Sequence, residues 1–493
     1  MKEKSLKGNM ALSAIKSLMS VVFPLISFPY VSKVLQVENV GKYNFSNSVI
    51  SYFILIAGLG ISSYAIREGA SFREDRSKFG KFANEMFTIS IVSTLVAYFL
   101  LIVCAIFVSK FHSYFLLLAV LSLQIIFKTT GVEWIYSIFE DYKYITIRSI
   151  VFQVISIISL FIFVKSKNDY LNYAAITVFA CGGSNILNYI HAKKYCKVRI
   201  TLEIDWRKHL RPIMVIFSSI VATTIYVSAD TTILGFMRGD YSVGLYSVSV
   251  KIYSIIKTVL SSVLIVSIPR LSAYFGQKKM ELFEQTAKNI MDILITIMLP
   301  AIIGLLVLSR EIILFISDVS YVEATKSFQY LCVALGFCMF AWFWGQCILL
   351  PLKKEKVILV ATIVSSIVNI GLNFILIPIW SQDAAAITTI IAEGIAMCIC
   401  MLEGYKYIKI KGTAQTFIKV TIGCIAIVAV VMALRTIKIS TKPFLFVSVV
   451  CSVVIYFFTQ VILRNEAILS LISEIESRKM RKKYGVDFEL KSD

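Results

Sequence analysis

Apolar runs of roughly twenty residues follow one another along nearly the whole chain, each long enough to cross the hydrocarbon core of a bilayer as a helix. Short polar breaks separate them. The pattern predicts about fourteen crossings, near 9–35, 40–69, 82–109, 112–138, 142–165, 169–192, 211–237, 242–273, 285–309, 323–351, 355–379, 383–404, 414–435 and 442–463. The fold class is therefore an all-α integral membrane protein. One further apolar piece, from Glu311 to Ala324, is too short to cross and carries Asp318 and Glu323. It reads as an interfacial or partly re-entrant segment on the outer side.

The stretch from Phe217 to Phe275 says most about organisation. It reads as a membrane hairpin: an apolar run to Phe236, a polar turn at Arg238, Gly239, Asp240 and Tyr241, then a second long run. The same hairpin occurs once earlier, with Val40-Gly41-Lys42-Tyr43 matching Val243-Gly244-Leu245-Tyr246. In that register Ser46 falls on Ser249, Ser51 on Ser254 and Arg67 on Arg270. A period of about 200 residues is far longer than a solenoid unit. It predicts two similar bundles with a polar cavity between them. The expected divisions are a first bundle over 1–194, a linker over 195–211, a second bundle over 212–408, two further helices over 409–464 and a basic tail over 465–493.

Charges inside the runs are the candidate chemistry. A charge at the centre of a span costs at least about 2.5–3.5 kcal/mol, so it must face protein or water. In the first span Ser13, Lys16, Ser17, Ser20, Pro24 and Ser27 fall on one helical stripe, with Lys16 as a cation facing the cavity. In the eighth, Ser247, Lys251, Ser254, Lys257, Thr258, Ser261 and Ser262 lie on one face, which predicts a water-lined surface. Depth along each hairpin pairs some charges. Asp230 and Lys251 are equally far from their turn, as are Glu133 and Arg148, and both pairs are expected to be structural. Lys257 and Lys128 are left without partners. Glu393 is the acid near a span centre in the second bundle, with Asn369 and Asn373 one turn apart on the preceding helix. Desolvation can keep such a carboxyl protonated, which makes Glu393 the candidate for ion coupling.

Composition narrows the class. The 493 residues are 58% hydrophobic, with mean hydropathy +0.79 and a formal charge of +20. In a soluble protein that charge would suggest nucleic acid. Here the basic residues lie between the apolar runs, which points to topology and anionic lipid instead. Assigning the basic loops to the inside places both termini in the cytoplasm, in the cytoplasmic membrane. The tail, with Ile468, Leu471, Ile472 and Ile475 on one face and Arg478, Lys479, Arg481, Lys482 and Lys483 following, suits a helix on the membrane surface. The ten cysteines lie mostly within apolar runs and form no CxxC or Cys/His cluster, so no metal, cofactor or disulfide is expected. The three histidines, His112, His191 and His209, sit near span ends, and no hydrolase or phosphate-loop motif occurs. The chain does not read as an enzyme.

Several stretches resemble one family. They are Gly41-Lys42-Tyr43, Ala65-Ile66-Arg67-Glu68, Glu133-Trp134-Ile135-Tyr136 with Tyr142-Lys143-Tyr144-Ile145-Thr146, Asp169-Tyr170-Leu171-Asn172-Tyr173, and Asn369–Pro378 with Ala384–Glu393. In order and spacing, over about residues 5–410, they are similar to the oligosaccharide repeat-unit flippases often called Wzx. Those belong to the multidrug/oligosaccharidyl-lipid/polysaccharide exporter superfamily. One departure is Ser381-Gln382-Asp383, where the family usually has a glycine-bearing turn. The resemblance implies two six-helix bundles in a V plus two C-terminal helices. It implies transfer of an undecaprenyl-diphosphate-linked oligosaccharide from the inner to the outer leaflet by alternating access, with membrane lipids, a polymerase and chain-length machinery as partners. On that reading Lys16, Arg67, Lys128, Lys257 and Arg270 contact the diphosphate head. Two alternatives remain: an ion-coupled exporter of drugs or small cations with the same architecture, and a membrane polysaccharide polymerase or ligase. The excess of lysine over acid argues against the first. The internal repeat and the short outer loops argue against the second.

Overall fold

The computed structural model describes residues 6–437, 440–470 and 473, with side chains at Met19 and from Val22 onward. Helix dominates, and no strand occurs among the described residues. Eleven helices among them are long and apolar enough to cross a membrane.

Two of these are fused pairs. Leu6–Gly58 runs for 53 residues with a break at Gln36 (φ 62°), and Glu355–Gly404 runs for 50 with a break at Ser381 (φ 53°). A straight helix of 50 residues would be about 75 Å long, more than twice the hydrocarbon thickness, so each must double back. The predicted polar breaks near these positions are single-residue hinges. Both use a left-handed conformation that a side chain adopts at a cost. Ser381 has a compensating contact: its hydroxyl bonds that of Ser242 at 2.8 Å. Ser309–Ile316, within the predicted short outer segment, is an eight-residue helix too short to cross.

The chain packs as two units. Unit 1 comprises Met1–Val248, Ile316–Ala324 and Ser366–Ala385. In it the first helix packs against Arg76–Phe107, Phe115–Thr130, Tyr142–Phe163 and Trp206–Arg238. The repeat-related glycines meet here. A Cβ on Gly41 would lie 1.8 Å from the Asp240 carbonyl oxygen, and one on Gly244 would lie 2.0 Å from that of Val37. Backbone touches backbone at both positions, so neither tolerates a side chain. The contact continues through hydroxyls: Thr232 bonds Ser48 at 2.9 Å and Ser51 meets Ser228 at 3.2 Å. At its other end unit 1 holds an aromatic core around Phe79, Phe82, Trp134 and Tyr136.

Unit 2 comprises Ser249–Phe315, Thr325–Ser365 and Ala386–Asp493. Met280–Val307 packs along Thr413–Arg435, which in turn packs along Thr441–Ile462. Tyr456 donates to the Thr296 carbonyl at 2.6 Å, pinning the last helix to the first of the three. Most of the predicted surface helix of the tail lies outside the described residues.

Candidate functional site

Unit 1 carries a recess of about 400 Å³ around Lys128, whose wall mixes hydroxyls with the aliphatic Ile54, Leu55 and Ile220. The lysine stands near the C-terminal end of Phe115–Thr130. Leu59 and Gly60, both with positive φ, end the preceding helix and start a new one at Ile61. That break brings Ser62 and Ser63 to the wall, joined by Ser51 and Thr224. A Cβ on Gly58 would lie 3.8 Å from the Lys128 Cε, so the stem lies over a bare stretch of backbone. Lys128 makes no ion pair or hydrogen bond among the described residues. A cation placed this way offers its donors to whatever enters.

Unit 2 places Lys257 and Glu393 together. Nζ lies 3.8 Å from Oε1, and the side chains are 35% and 7% exposed. Tyr253, one turn before Lys257, donates to the same oxygen at 3.4 Å, and its ring lies 5.7 Å from the ammonium. The depth count had left Lys257 unpaired and Glu393 alone; here each is the other's neighbour. Counting from a turn sets a residue's level but not which separate helix faces it. The carboxylate is the buried partner and the ammonium the accessible one. Ser254, Thr258 and Ser262 on the same helix are exposed, in keeping with a wet face. An anion reaching this face would compete with Glu393 for the ammonium.

The other expected residues are distributed as follows. Arg148 meets Glu133 at 3.1 Å, the pair that depth predicts. Asp230 is buried and accepts from Tyr246 at 2.9 Å and from Asn373 at 2.6 Å; Asn373 also bonds Asn369 at 3.2 Å. Lys251 is half-buried. Arg67 and Arg270 sit on corresponding nine-residue helices, Ile61–Gly69 and Ile268–Gly276, and both are exposed. Arg67 Nε lies 3.3 Å from Glu68, and Arg270 Nε donates to Tyr274 at 2.9 Å. The side chain of Lys16 lies outside the described residues.

Three features escaped sequence reasoning. Asp292 is buried in Met280–Val307, 3.2 Å from Lys288, which also approaches Glu466 at 3.6 Å. A charge in an apolar run was the available signal. Together with Arg270 and Asn289, Asp292 and Glu466 line a pocket of about 670 Å³. His209 is buried between Tyr64 (2.8 Å) and Glu85 (3.0 Å), an arrangement with no local signature. The third is an apolar groove of about 450 Å³ where Met280–Val307 and the last two long helices meet, with Pro300, Gly304, Ile427, Val453 and Tyr456 in its wall. Nothing stands within 4 Å of a Cβ on Gly304, so that wall is open.

Comparison with known proteins gives a consistent set of matches. Residues 6–275 match the family model described as "Polysaccharide biosynthesis protein", and residues 215–375 match the MatE model. The chain is 23% identical over 276 residues to the "Putative O-antigen transporter" of Escherichia coli (strain K12). That alignment covers 55% of this chain and 65% of the relative, just under two thirds of its length. Among solved structures, the lipid II flippase MurJ in an inward closed conformation aligns with a TM-score of 0.75 at 18% identity, over 93% of this chain and all of that one. An inward-facing multidrug resistance transporter of the MATE family aligns with a TM-score of 0.61 at 14% identity, over 81% of this chain and 97% of that one. At such identities these neighbours establish the fold, an all-helical membrane protein of two pseudo-symmetric bundles.

Proposed function

The chain belongs to the polysaccharide biosynthesis protein family, and from that premise we propose that it is a flippase for undecaprenyl-diphosphate-linked oligosaccharides. It carries the repeat unit from the inner to the outer leaflet of the cytoplasmic membrane, with both termini cytoplasmic. The two repeats act as the moving halves of an alternating-access cycle, as in other repeat-built transporters. No covalent step is involved, so the protein is a transporter and not an enzyme. The family match, the O-antigen transporter relative and the MurJ-like fold all support this reading.

The observation that carries it is Lys128, a cation without a counter-ion among the described residues, in a recess walled in part by hydroxyls. A diphosphate crossing about 30 Å of hydrocarbon loses its hydration unless donors replace it. Lysine ammonium and serine or threonine hydroxyls supply those donors as charge-assisted bonds. Lys257 supplies a second cation, held by Glu393 until an anion displaces it. Arg67 and Arg270 serve as capture residues at the cytoplasmic mouth, and Lys16 completes the set. The apolar groove beside Gly304 suits hydrocarbon, and we assign the prenyl chain to it. The product then passes to a polysaccharide polymerase and its chain-length machinery.

A second reading, an ion-coupled drug exporter, is favoured by the MatE match and by the buried Glu393. Lipid extraction from a deletion strain separates the two. A flippase defect accumulates the complete lipid-linked repeat on the cytoplasmic face and leaves drug sensitivity unchanged. Normal lipid-linked pools with raised drug sensitivity would sink the flippase reading.

A further inference from the structure

A separate pocket of about 400 Å³ lies in unit 1, where the start of Tyr142–Phe163 meets the end of Asn185–Ala192. It shares no lining residue with the Lys128 recess. Its wall carries Lys143, Arg148, Lys194 and His191 against one acid, Asp141. Asp141 already accepts from Tyr195 at 2.5 Å.

The basic groups are held in place. Arg148 is only 7% exposed; it reaches Glu133 at 3.1 Å and the Ser184 carbonyl at 3.3 Å, while its buried Nε–H has no partner among the described residues. His191 stacks on Tyr144 with centroids 3.9 Å apart and on Tyr136 at 5.7 Å, and its Nδ1 is also buried without a partner. Lys143 and Lys194 are exposed, and neither forms an ion pair among the described residues. A buried, unmet guanidinium N–H costs free energy unless something accepts from it. The donors the pocket offers to an anion are therefore Lys143 and Lys194, unpaired among the described residues, with the fixed guanidinium of Arg148 behind them.

The lipid side of the pocket is apolar. Ile147 is in its wall, Val151 follows one turn deeper on the same helix, and Leu187 and Ile190 lie on the neighbouring one; all four are exposed. Lys143 and Lys194 mark the water end, Arg148 and His191 lie about one turn inward, and the aliphatic strip continues from there. This end of unit 1 also carries the basic loops that the charge rule assigns to the cytoplasm.

We propose that this pocket binds the phosphate headgroup of an anionic glycerophospholipid, with the acyl chains lying along Ile147, Val151, Leu187 and Ile190. Basic pockets between membrane helices on the cytoplasmic side take such headgroups by the same chemistry. The site is an anchor for bilayer lipid, separate from the path of the transported substrate. A free phosphate would satisfy the same donors but would leave the aliphatic strip unused.

The test uses the purified full chain in phosphatidylcholine vesicles titrated with phosphatidylglycerol, read by thermal unfolding and by native mass spectrometry of retained lipid. The wild type is stabilised by phosphatidylglycerol and retains it. The double variant Lys143→Ala, Lys194→Ala removes two exposed side chains that make no ion pair among the described residues, and it is expected to keep the fold. It loses apparent affinity about fivefold per lysine, roughly 25-fold together. Inorganic phosphate added to the detergent-solubilised protein gives no comparable stabilisation. An unchanged phosphatidylglycerol response in the double variant overturns the site, and equal stabilisation by inorganic phosphate overturns its assignment to a lipid.

Discussion

Lys128 in unit 1 and Lys257 in unit 2 are both membrane lysines on helices rich in hydroxyl neighbours, yet their surroundings differ in one respect. Lys128 faces serine, threonine, bare glycine backbone and three aliphatic side chains, and pairs with no acid among the described residues. Lys257 has a buried glutamate 3.8 Å away. The first is a fixed positive charge that water or a ligand must satisfy. The second already has an opposite charge beside it, so a ligand must compete with Glu393 for it. A transporter that must both hold an anion and release it needs these two properties. On the proposed function, a site of fixed cations alone would retain the diphosphate, and a site of paired charges alone would not attract it.

The contrast is most exposed to Lys257→Ala. Removing one partner of a fully buried pair costs about 3–5 kcal/mol, because the other charge is left uncompensated. Lys257 is 35% exposed, so water screens part of that loss and about 2 kcal/mol is expected. The variant should unfold at lower temperature in detergent, and surface polysaccharide should fall while the protein still reaches the membrane. An unchanged unfolding midpoint would show that the two side chains are not coupled, and the comparison would lose its second half.

Glu393→Gln is milder. Glutamine still accepts from Tyr253, so the loss is expected to stay below about 1 kcal/mol. Its effect falls on transport: with no carboxylate left to pair with Lys257, the cycle should continue at a lower rate and lose its dependence on a proton or sodium gradient. Retained gradient dependence removes Glu393 from the coupling role. Combined with Lys257→Ala, the glutamine variant should recover part of the lost stability, since the stranded carboxylate is gone. Strict additivity would again deny the pair.

The sequence carried the parts of this picture that depend on distance along one helical hairpin. Span lengths are legible because hydrocarbon thickness sets them. Glu133 and Arg148 could be matched because a short turn ties their two helices together. The Lys257–Glu393 pair was not legible for the converse reason. Tyr253 and Glu393 alone are 140 residues apart, on elements whose rotation about their own axes no local pattern fixes. The hinges at Gln36 and Ser381 were placed only approximately, since neither residue is the glycine or proline that normally marks a turn. The glycine register between the repeats was legible, but that Gly41 and Gly244 come into close backbone contact followed only from the fold.

Lys128→Ala has the smallest expected effect on stability, and that is what makes it the sharper test of the contrast. The side chain breaks no pair when it leaves, so unfolding should shift by no more than about 0.5 kcal/mol. Its stem rests against Gly58, and the space it vacates opens into a recess that already admits water. Transport should nonetheless fall by about tenfold, the loss of roughly one charge-assisted bond to phosphate. Lys128→Arg restores the charge and should recover most of the rate; Lys128→Gln keeps a donor without the charge and should not. Recovery by glutamine would mean that the recess needs only a hydrogen-bond donor. Lys128 would then be one more polar wall residue, and the fixed charge that distinguishes unit 1 from unit 2 would have no function.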